Sequence, residues 1–246
     1  MNEDGRCPNL DSRGLCRIIF EHGEGYLCNI CREHPRFYNL LQGRREVGLG
    51  ASCEEAARLI LSASDYASTA PIEDGVDSAP EDGEFEFFGD IDPLAVREKI
   101  YSILSSASLS YSERLERIRR EYCPEAKALT AEEAGELISS LEYIDPESPA
   151  AFLSYSPSAT PPSETYAERA LAYFIYRHVS PAETSEELSA SLGLALFLER
   201  LFSSLASSLS PSDLDAHVLL LRRISEEIEY STDNTDAIKS RIFPSF

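Results

Sequence analysis

The sequence predicts a mainly α-helical protein in which an irregular, cysteine-rich metal-binding module precedes an α-helical bundle. Five of the six cysteines lie within the first 53 of the 246 residues. The next segment is dense in proline, glycine and acids, and apolar residues recur at helical spacing after Asp92. The predicted units are the cysteine-rich module at 1–64, an acidic linker or loop at 65–91 and the helical domain at 92–246.

The first 53 residues favour loops and short turns around a metal, because they are rich in glycine, proline, cysteine and arginine and show no sustained helical period. Cys7, Cys16, Cys28 and Cys31 place four thiols within 25 residues, two of them in a Cys-x-x-Cys pair. Thiolates bind zinc and iron–sulfur clusters. The spacing therefore predicts a 4Fe–4S cluster or a zinc site. A zinc that only holds the fold and a regulatory disulfide are the alternatives.

A fifth thiol, Cys53, lies where a helix is predicted to begin. Ser52 followed by Glu55 is typical of a capping box, which places Cys53 in the first helical turn. The exposed backbone N–H groups of that turn favour a thiolate. Cys53 is therefore a further candidate ligand, with a redox partner and a bystander as alternatives. Cys123 is predicted to be a small buried hydrophobic residue.

Helical patterns cover most of the chain after Asp92, and several are preceded by Ser, Thr or Asp caps. The predicted helices are 93–108, 110–122, 130–143, 163–179, 186–209 and 211–229. The segment from Leu188 to Leu205 is apolar around much of its circumference, which is typical of a central buried helix. No strand alternation in this region is long enough to predict a sheet.

Two polar constellations fall near the ends of predicted helices. Tyr173 and Arg177 share one helix face. Residues 222–231 place several acids, among them Glu229, at a helix C-terminus, where they oppose the helix macrodipole. Either i,i+4 pairs with the preceding arginines compensate these acids on a solvated surface, or the acids form a site for a cationic group such as a lysine ammonium.

Composition argues against several classes of function. The formal net charge of -21 opposes binding to a phosphate backbone, so no nucleic-acid partner is expected. The sequence shows no basic-then-apolar leader and no uninterrupted apolar run of about twenty residues, so we expect neither secretion nor membrane insertion. The expected location is the cytoplasm, where thiols stay reduced. Motifs for dinucleotides, phosphate loops and common hydrolases are also missing.

Six stretches of the chain together form a specific pattern. They are Cys7-Pro8-x-Leu10, Gly14-Leu15-Cys16-Arg17-Ile18, Tyr26-Leu27-Cys28-x-x-Cys31-Arg32-x-x-Pro35-Arg36-Phe37-Tyr38, Ser52-Cys53-Glu54-Glu55-Ala56-Ala57-Arg58-Leu59-Ile60-Leu61, Tyr173-Phe174-x-Tyr176-Arg177-His178 and Glu227-Ile228-Glu229-Tyr230-Ser231-x-x-Asn234. Over most of the chain this pattern resembles the bacterial flagellin lysine-N-methylases, among the proteins with a cysteine-rich zinc- or iron-chelating domain. The resemblance departs at the N-terminus, where family members usually carry a further cysteine-containing segment.

The resemblance implies transfer of a methyl group from S-adenosylmethionine to lysine ε-amines of flagellin, by a protein with a cysteine-ligated cluster. The metal ligands would then be Cys7, Cys16, Cys28 and Cys31, with Cys53 in reserve.

Attack on the methyl group needs a neutral lysine, so a Tyr or Glu that lowers the pKa of the lysine or accepts its proton is required. Tyr230, Glu229 and Tyr173 are the candidates, and the acidic helix end would engage the lysine. The rival hypothesis is a non-catalytic metal- or cluster-binding protein, such as a redox sensor or a partner-binding scaffold.

Overall fold

The computed structural model describes residues 7–41, 44–71 and 89–243, and within them the protein is mainly α-helical, as predicted. Much of the predicted acidic linker, residues 72–88, lies outside the described residues. The described α-helices are α1 (Arg17–His22), α2 (Asn29–Glu33), α3 (Glu54–Ser62), α4 (Pro93–Leu104), α5 (Tyr111–Tyr122), α6 (Ala131–Ser140), α7 (Ser148–Phe152), α8 (Glu164–Phe174), α9 (Ser185–Ala206), α10 (Leu214–Ile224) and α11 (Thr232–Ile242). Two helices continue into π-helical turns, π1 (Ile175–Val179) after α8 and π2 (Ser225–Glu229) after α10.

The six helices predicted after Asp92 all form, because the sequence supplies their start signals. Ser110, Thr130 and Thr184 cap α5, α6 and α9, and in each case the glutamate three residues later reaches back to the cap. Asp92 caps α4 ahead of Pro93, whose missing N–H costs nothing at that position. The helices α7 and α11 were not predicted. The polar sequence of α11, TDNTDAIKSRI, leaves only a weak helical period.

The core is organised around α9, as predicted. Side chains on all sides of α9 are buried, and α5, α8, α10 and α11 pack against it. Gly193 permits the close approach of α11, since a Cβ there would lie 3.1 Å from Cγ2 of Ile242. Helix α9 is long and apolar enough to cross a membrane, since an 18-residue stretch of it has a mean hydropathy of 1.3. However, 78% of that stretch is buried within the protein.

Two paired strands lie where the sequence was expected to form loops and short turns, so that prediction is wrong for residues 36–41 and 44–49. Strands β1 (Arg36–Leu41) and β2 (Arg44–Leu49) pair antiparallel, with Phe37 opposite Gly48. The buried Asn39 interrupts the apolar alternation of β1, and its Nδ2 donates to the backbone oxygen of Tyr176 at 3.1 Å. A polar residue on the inner face therefore concealed the strand from an argument based on periodicity.

A buried ion pair fixes this hairpin to the helices. Arg97 of α4 donates to both carboxylate oxygens of Glu46, each at 2.6 Å, and to the hydroxyl of Ser180 at 2.6 Å. Its guanidinium lies 4.9 Å from the ring centre of Tyr176. A buried charge is costly unless it is paired and hydrogen-bonded, so these partners hold β2 in one position.

Helix α3 is likewise attached to helices of the C-terminal part of the chain. It packs on α8 and α10. The backbone oxygen of Leu61 accepts a hydrogen bond from Arg169 at 2.6 Å, and Arg58 pairs with Asp215 at 2.5 Å. We use the name helical body for residues 35–41, 44–71 and 89–243, which include the hairpin and α3.

Candidate functional site

Four of the predicted metal ligands lie in residues 7–34, which we call the thiol segment. Cys16 and Cys28 immediately precede α1 and α2, and Cys31 follows within α2. A hydrogen bond between the Cys28 and Cys31 thiols raises the pKa of Cys31, and interactions with the charges of Cys28, Cys7 and Cys16 raise it further. The backbone N–H and the thiol of Cys31 lower the pKa of Cys28. The Cys28 and Cys31 thiols are therefore neighbours, and Cys7 and Cys16 are close enough to affect the charge of Cys31.

The thiol segment has no hydrophobic core of its own. None of its side chains is buried, in either short helix or in the turns between them. Large apolar side chains are instead exposed, namely Leu15, Ile19, Phe20, Tyr26 and Ile30. A segment of this size cannot offset its conformational entropy without buried apolar surface, a disulfide, a metal or a partner.

The donor set of the thiol segment suits zinc or an iron–sulfur cluster. Among the described residues, no three Cys, His, Asp or Glu side chains stand in a ready coordination geometry. The four thiols are exposed or half-buried, and no packed side chain holds α1 and α2 in place. Closing the thiols onto one metal therefore breaks no core contact. Four soft sulfur donors are the set that zinc and 4Fe–4S clusters prefer.

Cys53 and Cys123 lie outside this group. Cys53 is itself the residue preceding α3, so the helix begins one residue later than predicted, and the Ser52 hydroxyl is buried without a hydrogen-bond partner. Cys53 is half-buried, and the loop before it is hydrogen-bonded to Pro35 and Tyr173. Cys123 is fully buried, as predicted, and burial raises its pKa to about 12.

A buried carboxylate forms the second cluster. Glu229, at the end of π2, receives hydrogen bonds from Nε2 of His178 at 2.8 Å, from the hydroxyl of Tyr173 at 2.7 Å and from the hydroxyl of Ser225. Nε of Arg177 lies 3.2 Å from the same carboxylate. Both oxygens of Glu229 are therefore engaged, and its side chain is fully shielded from solvent.

The partners of Glu229 keep it ionised. Burial alone raises the pKa of a carboxyl group, but the hydrogen bond from His178 and the charge of Arg177 outweigh burial and lower the pKa of Glu229 below its usual value. In return, although burial lowers the pKa of Arg177, the charge of Glu229 raises it above its usual value. The pair is therefore a buried salt bridge whose two charges depend on each other.

The three candidate catalytic residues come together, but they differ in access to solvent. Tyr173 is buried, and its hydroxyl accepts a hydrogen bond from the backbone N–H of Ala51 at 3.0 Å. Tyr230 is 43% exposed, and its ring centre lies 4.4 Å from the guanidinium of Arg177. Of the three, only Tyr230 can touch a molecule arriving from solvent.

Both polar constellations extend into π-helical turns, which the sequence did not reveal. The wider turn of π1 carries Arg177 and His178, and that of π2 carries Glu229. Each turn follows an eleven-residue helix, α8 or α10. A π-helical turn adds one residue to a helical turn, which changes the side that later residues face, and such turns are frequent at functional sites.

The rest of the acidic helix end is structural. Glu227 accepts hydrogen bonds from the backbone N–H groups of Ile144 at 2.8 Å and Asp145 at 3.2 Å. Of the two expected i,i+4 pairs, Arg222 and Glu226 form one at 3.2 Å. Arg223 instead lies 3.7 Å from the carboxylate of Asp145 and donates to the hydroxyl of Ser148, at the start of α7, at 3.2 Å. These acids are thus compensated largely by backbone and arginine partners.

Comparison with known proteins assigns no family. No protein-family model matches the chain, and neither a curated protein nor a solved structure matches it. The resemblance to the flagellin lysine-N-methylases therefore stays a prediction from sequence motifs.

Gly50 lies against the side chains of Tyr230 and Arg177, and we expect Gly50→Ala to destabilise the protein. An added Cβ would overlap the hydroxyl of Tyr230 and would lie 3.0 Å from Nη1 of Arg177. Overpacking of this kind costs about 1–3 kcal/mol in the free energy of unfolding. The matched control is Gly135→Ala in α6, where the nearest atom is 3.9 Å away and a gain of about 0.5–1 kcal/mol is expected. Urea denaturation measures the free energy of unfolding of both variants. Equal changes in the two variants would contradict the crowding proposed at Gly50.

Glu229→Gln should destabilise the protein in a pH-dependent way. At neutral pH it leaves the buried charge of Arg177 without its partner, which costs about 3–5 kcal/mol. Because the pKa of Glu229 is lowered on folding, its stabilising effect is present above the unfolded value of about 4.3 and is lost as the pH falls through the folded value. The stability difference from the native protein should therefore narrow in acid.

Urea denaturation between pH 3 and pH 7 measures this difference. The control is Glu136→Gln, whose carboxylate is 65% exposed and should matter little at any pH. A difference for Glu229→Gln that is constant with pH would contradict the assigned ionisation.

Proposed function

We propose that this protein is an S-adenosylmethionine-dependent protein-lysine N-methyltransferase that acts on flagellin in the cytoplasm. In this proposal Cys7, Cys16, Cys28 and Cys31 hold a metal centre, either a 4Fe–4S cluster or zinc. When bound, a cluster supplies electron transfer, whereas zinc supplies structural cross-linking. Cys53 is not included in this ligand set, because its loop is tied to the Glu229 cluster.

The observation that supports this proposal is the meeting of distant motifs at one place. Pro35 accepts a hydrogen bond from the N–H of Gly50 at 2.6 Å, and the N–H of Ala51 donates to Tyr173. Tyr173 in turn donates to Glu229, which precedes Tyr230 in the chain. Segments that resemble the methylase pattern, more than 100 residues apart in sequence, are thus joined through hydrogen bonds.

The chemistry assigns different work to the three candidate residues. The lysine nitrogen must be neutral before it bonds to the methyl carbon, because the carbon–sulfur bond breaks as the nitrogen lone pair attacks. Tyr230 is exposed and can contact the ε-amine. Glu229 and Tyr173 are buried and fully engaged, so they position Tyr230 and Arg177 instead of touching the substrate.

A second candidate function is a non-catalytic metal- or cluster-binding protein, such as a redox sensor. The observation that favours it is the saturation of Glu229, whose oxygens both have protein partners. That carboxylate is therefore not free to engage a lysine ammonium. Under this alternative, the thiol segment would be the functional part and the Glu229 cluster would be structural.

Metal content tests the ligand set common to both functions. Cys16→Ser and Cys31→Ser should each lower bound metal at least about tenfold, because losing a ligand weakens a metal site at least as much as losing an outer partner does. Cys123→Ala removes a thiol from the core and should keep full metal. Metal and acid-labile sulfide analysis of protein purified without oxygen measures this. Full metal in both serine variants would contradict the assignment.

Transfer of a labelled methyl group from S-adenosylmethionine to flagellin separates the two functions. If Tyr230 contacts the lysine, Tyr230→Phe should slow transfer by about 10²–10⁴-fold. The matched control is Tyr122→Phe at the C-terminal end of α5, and this variant should transfer the methyl group at the native rate. Mass spectrometry of flagellin lysines reports the product. No transfer by metal-loaded native protein would leave the non-catalytic function as the better account.

A further inference from the structure

The thiol segment and the helical body are held together by different kinds of interaction. The helical body contains the buried apolar side chains and the buried ion pairs, whereas no side chain of residues 7–34 is buried. The segment is organised instead by backbone hydrogen bonds of short range, such as that from the N–H of Arg17 to the oxygen of Asn9 at 2.8 Å. Exposed hydrogen bonds of this kind contribute little net stability.

The boundary between the two parts lies near Pro35 and is crossed by exposed hydrogen bonds, from the Tyr38 hydroxyl to Glu33 and from Arg36 to the backbone oxygen of Arg32. From Pro35 onward the chain is tied to the helical body by the hydrogen bond from Gly50, by Asn39 to the backbone of Tyr176 and by the ion pair of Glu46 with Arg97. Movement before Pro35 therefore need not disturb the hairpin or the cluster around Glu229.

We infer that the thiol segment is a metal-gated element, which is ordered when its four thiols hold a metal and opens when the metal is lost, while the helical body stays folded. The inference rests on the metal centre of the proposed function and adds a regulatory property to it. A thiolate–metal centre supplies binding free energy that becomes folding free energy wherever the unfilled site is not preformed. Residues 7–34, with four thiols and no core, meet that condition.

The state of the metal would also decide what the surface of the protein presents. In the ordered segment, Phe20 and Ile30 project from two short helices that the cysteines precede. Opening the segment removes both helices and with them any fixed arrangement of these side chains. The supply of metal, or the oxidative loss of a cluster, thereby changes whether Phe20 and Ile30 are held in a fixed arrangement on the protein surface.

Amide hydrogen exchange on the 246-residue chain tests the inference. The protein is loaded with Zn²⁺ in one arm and with iron and sulfide without oxygen in the other, and each sample is compared with its chelator-stripped form. Stripping should accelerate exchange in peptides from residues 7–34 at least about tenfold. The exchange rate of peptides from α9 should change less than about twofold.

Variants separate metal loss from general damage. Cys31→Ser should exchange as fast as the stripped protein in residues 7–34 with or without metal, whereas Cys123→Ala should behave as the native protein does. Metal binding without any change of exchange in residues 7–34 would overturn the inference and leave the metal centre standing. Equal acceleration in α9 would overturn the separate gating. Absence of metal binding in both arms would overturn the metal centre as well.

Discussion

The arrangement of the C-terminal half depends on one buried charge, the carboxylate of Glu229. A carboxylate without solvent is tolerated only where donors surround it, and here the donors come from its own helix and from the end of α8. That requirement brings π1 and π2 together. Through Tyr173 it also fixes the loop at Ala51. The loop that follows the hairpin is therefore attached to the helices through a partner of this one acid, whereas the hairpin itself is held by Arg97 and by the backbone of Tyr176.

This constraint divides the molecule into two parts with different sources of stability. The helical body combines apolar burial around α9 with ion pairs that are shielded from water. The segment before Pro35 has neither and offers thiols instead. A chain built in this way can lose one part without losing the other, since cooperativity extends only as far as shared buried contacts do.

The sequence predicted those features that depend on local signals. Capping boxes and the apolar circumference of α9 identified the helices, whereas the metal centre inferred from cysteine spacing stays a prediction. The hairpin was missed because Asn39 occupies an inner position that only the backbone of Tyr176 makes acceptable. The π-helical turns were missed because no local pattern encodes them. Glu229 was recognised as unusual at a helix end, yet its burial depends on partners about fifty residues away.

The exposed apolar side chains of the thiol segment have a consequence for behaviour in solution. The chain carries a formal net charge of -21, so molecules repel one another at low ionic strength. Salt shortens that repulsion to a Debye length of about 8 Å near 0.15 M. Phe20, 85% exposed, and Ile30, 83% exposed, then become accessible to a second molecule. Any self-association of this acidic protein is accordingly expected to increase with salt and to involve the exposed apolar side chains of the thiol segment.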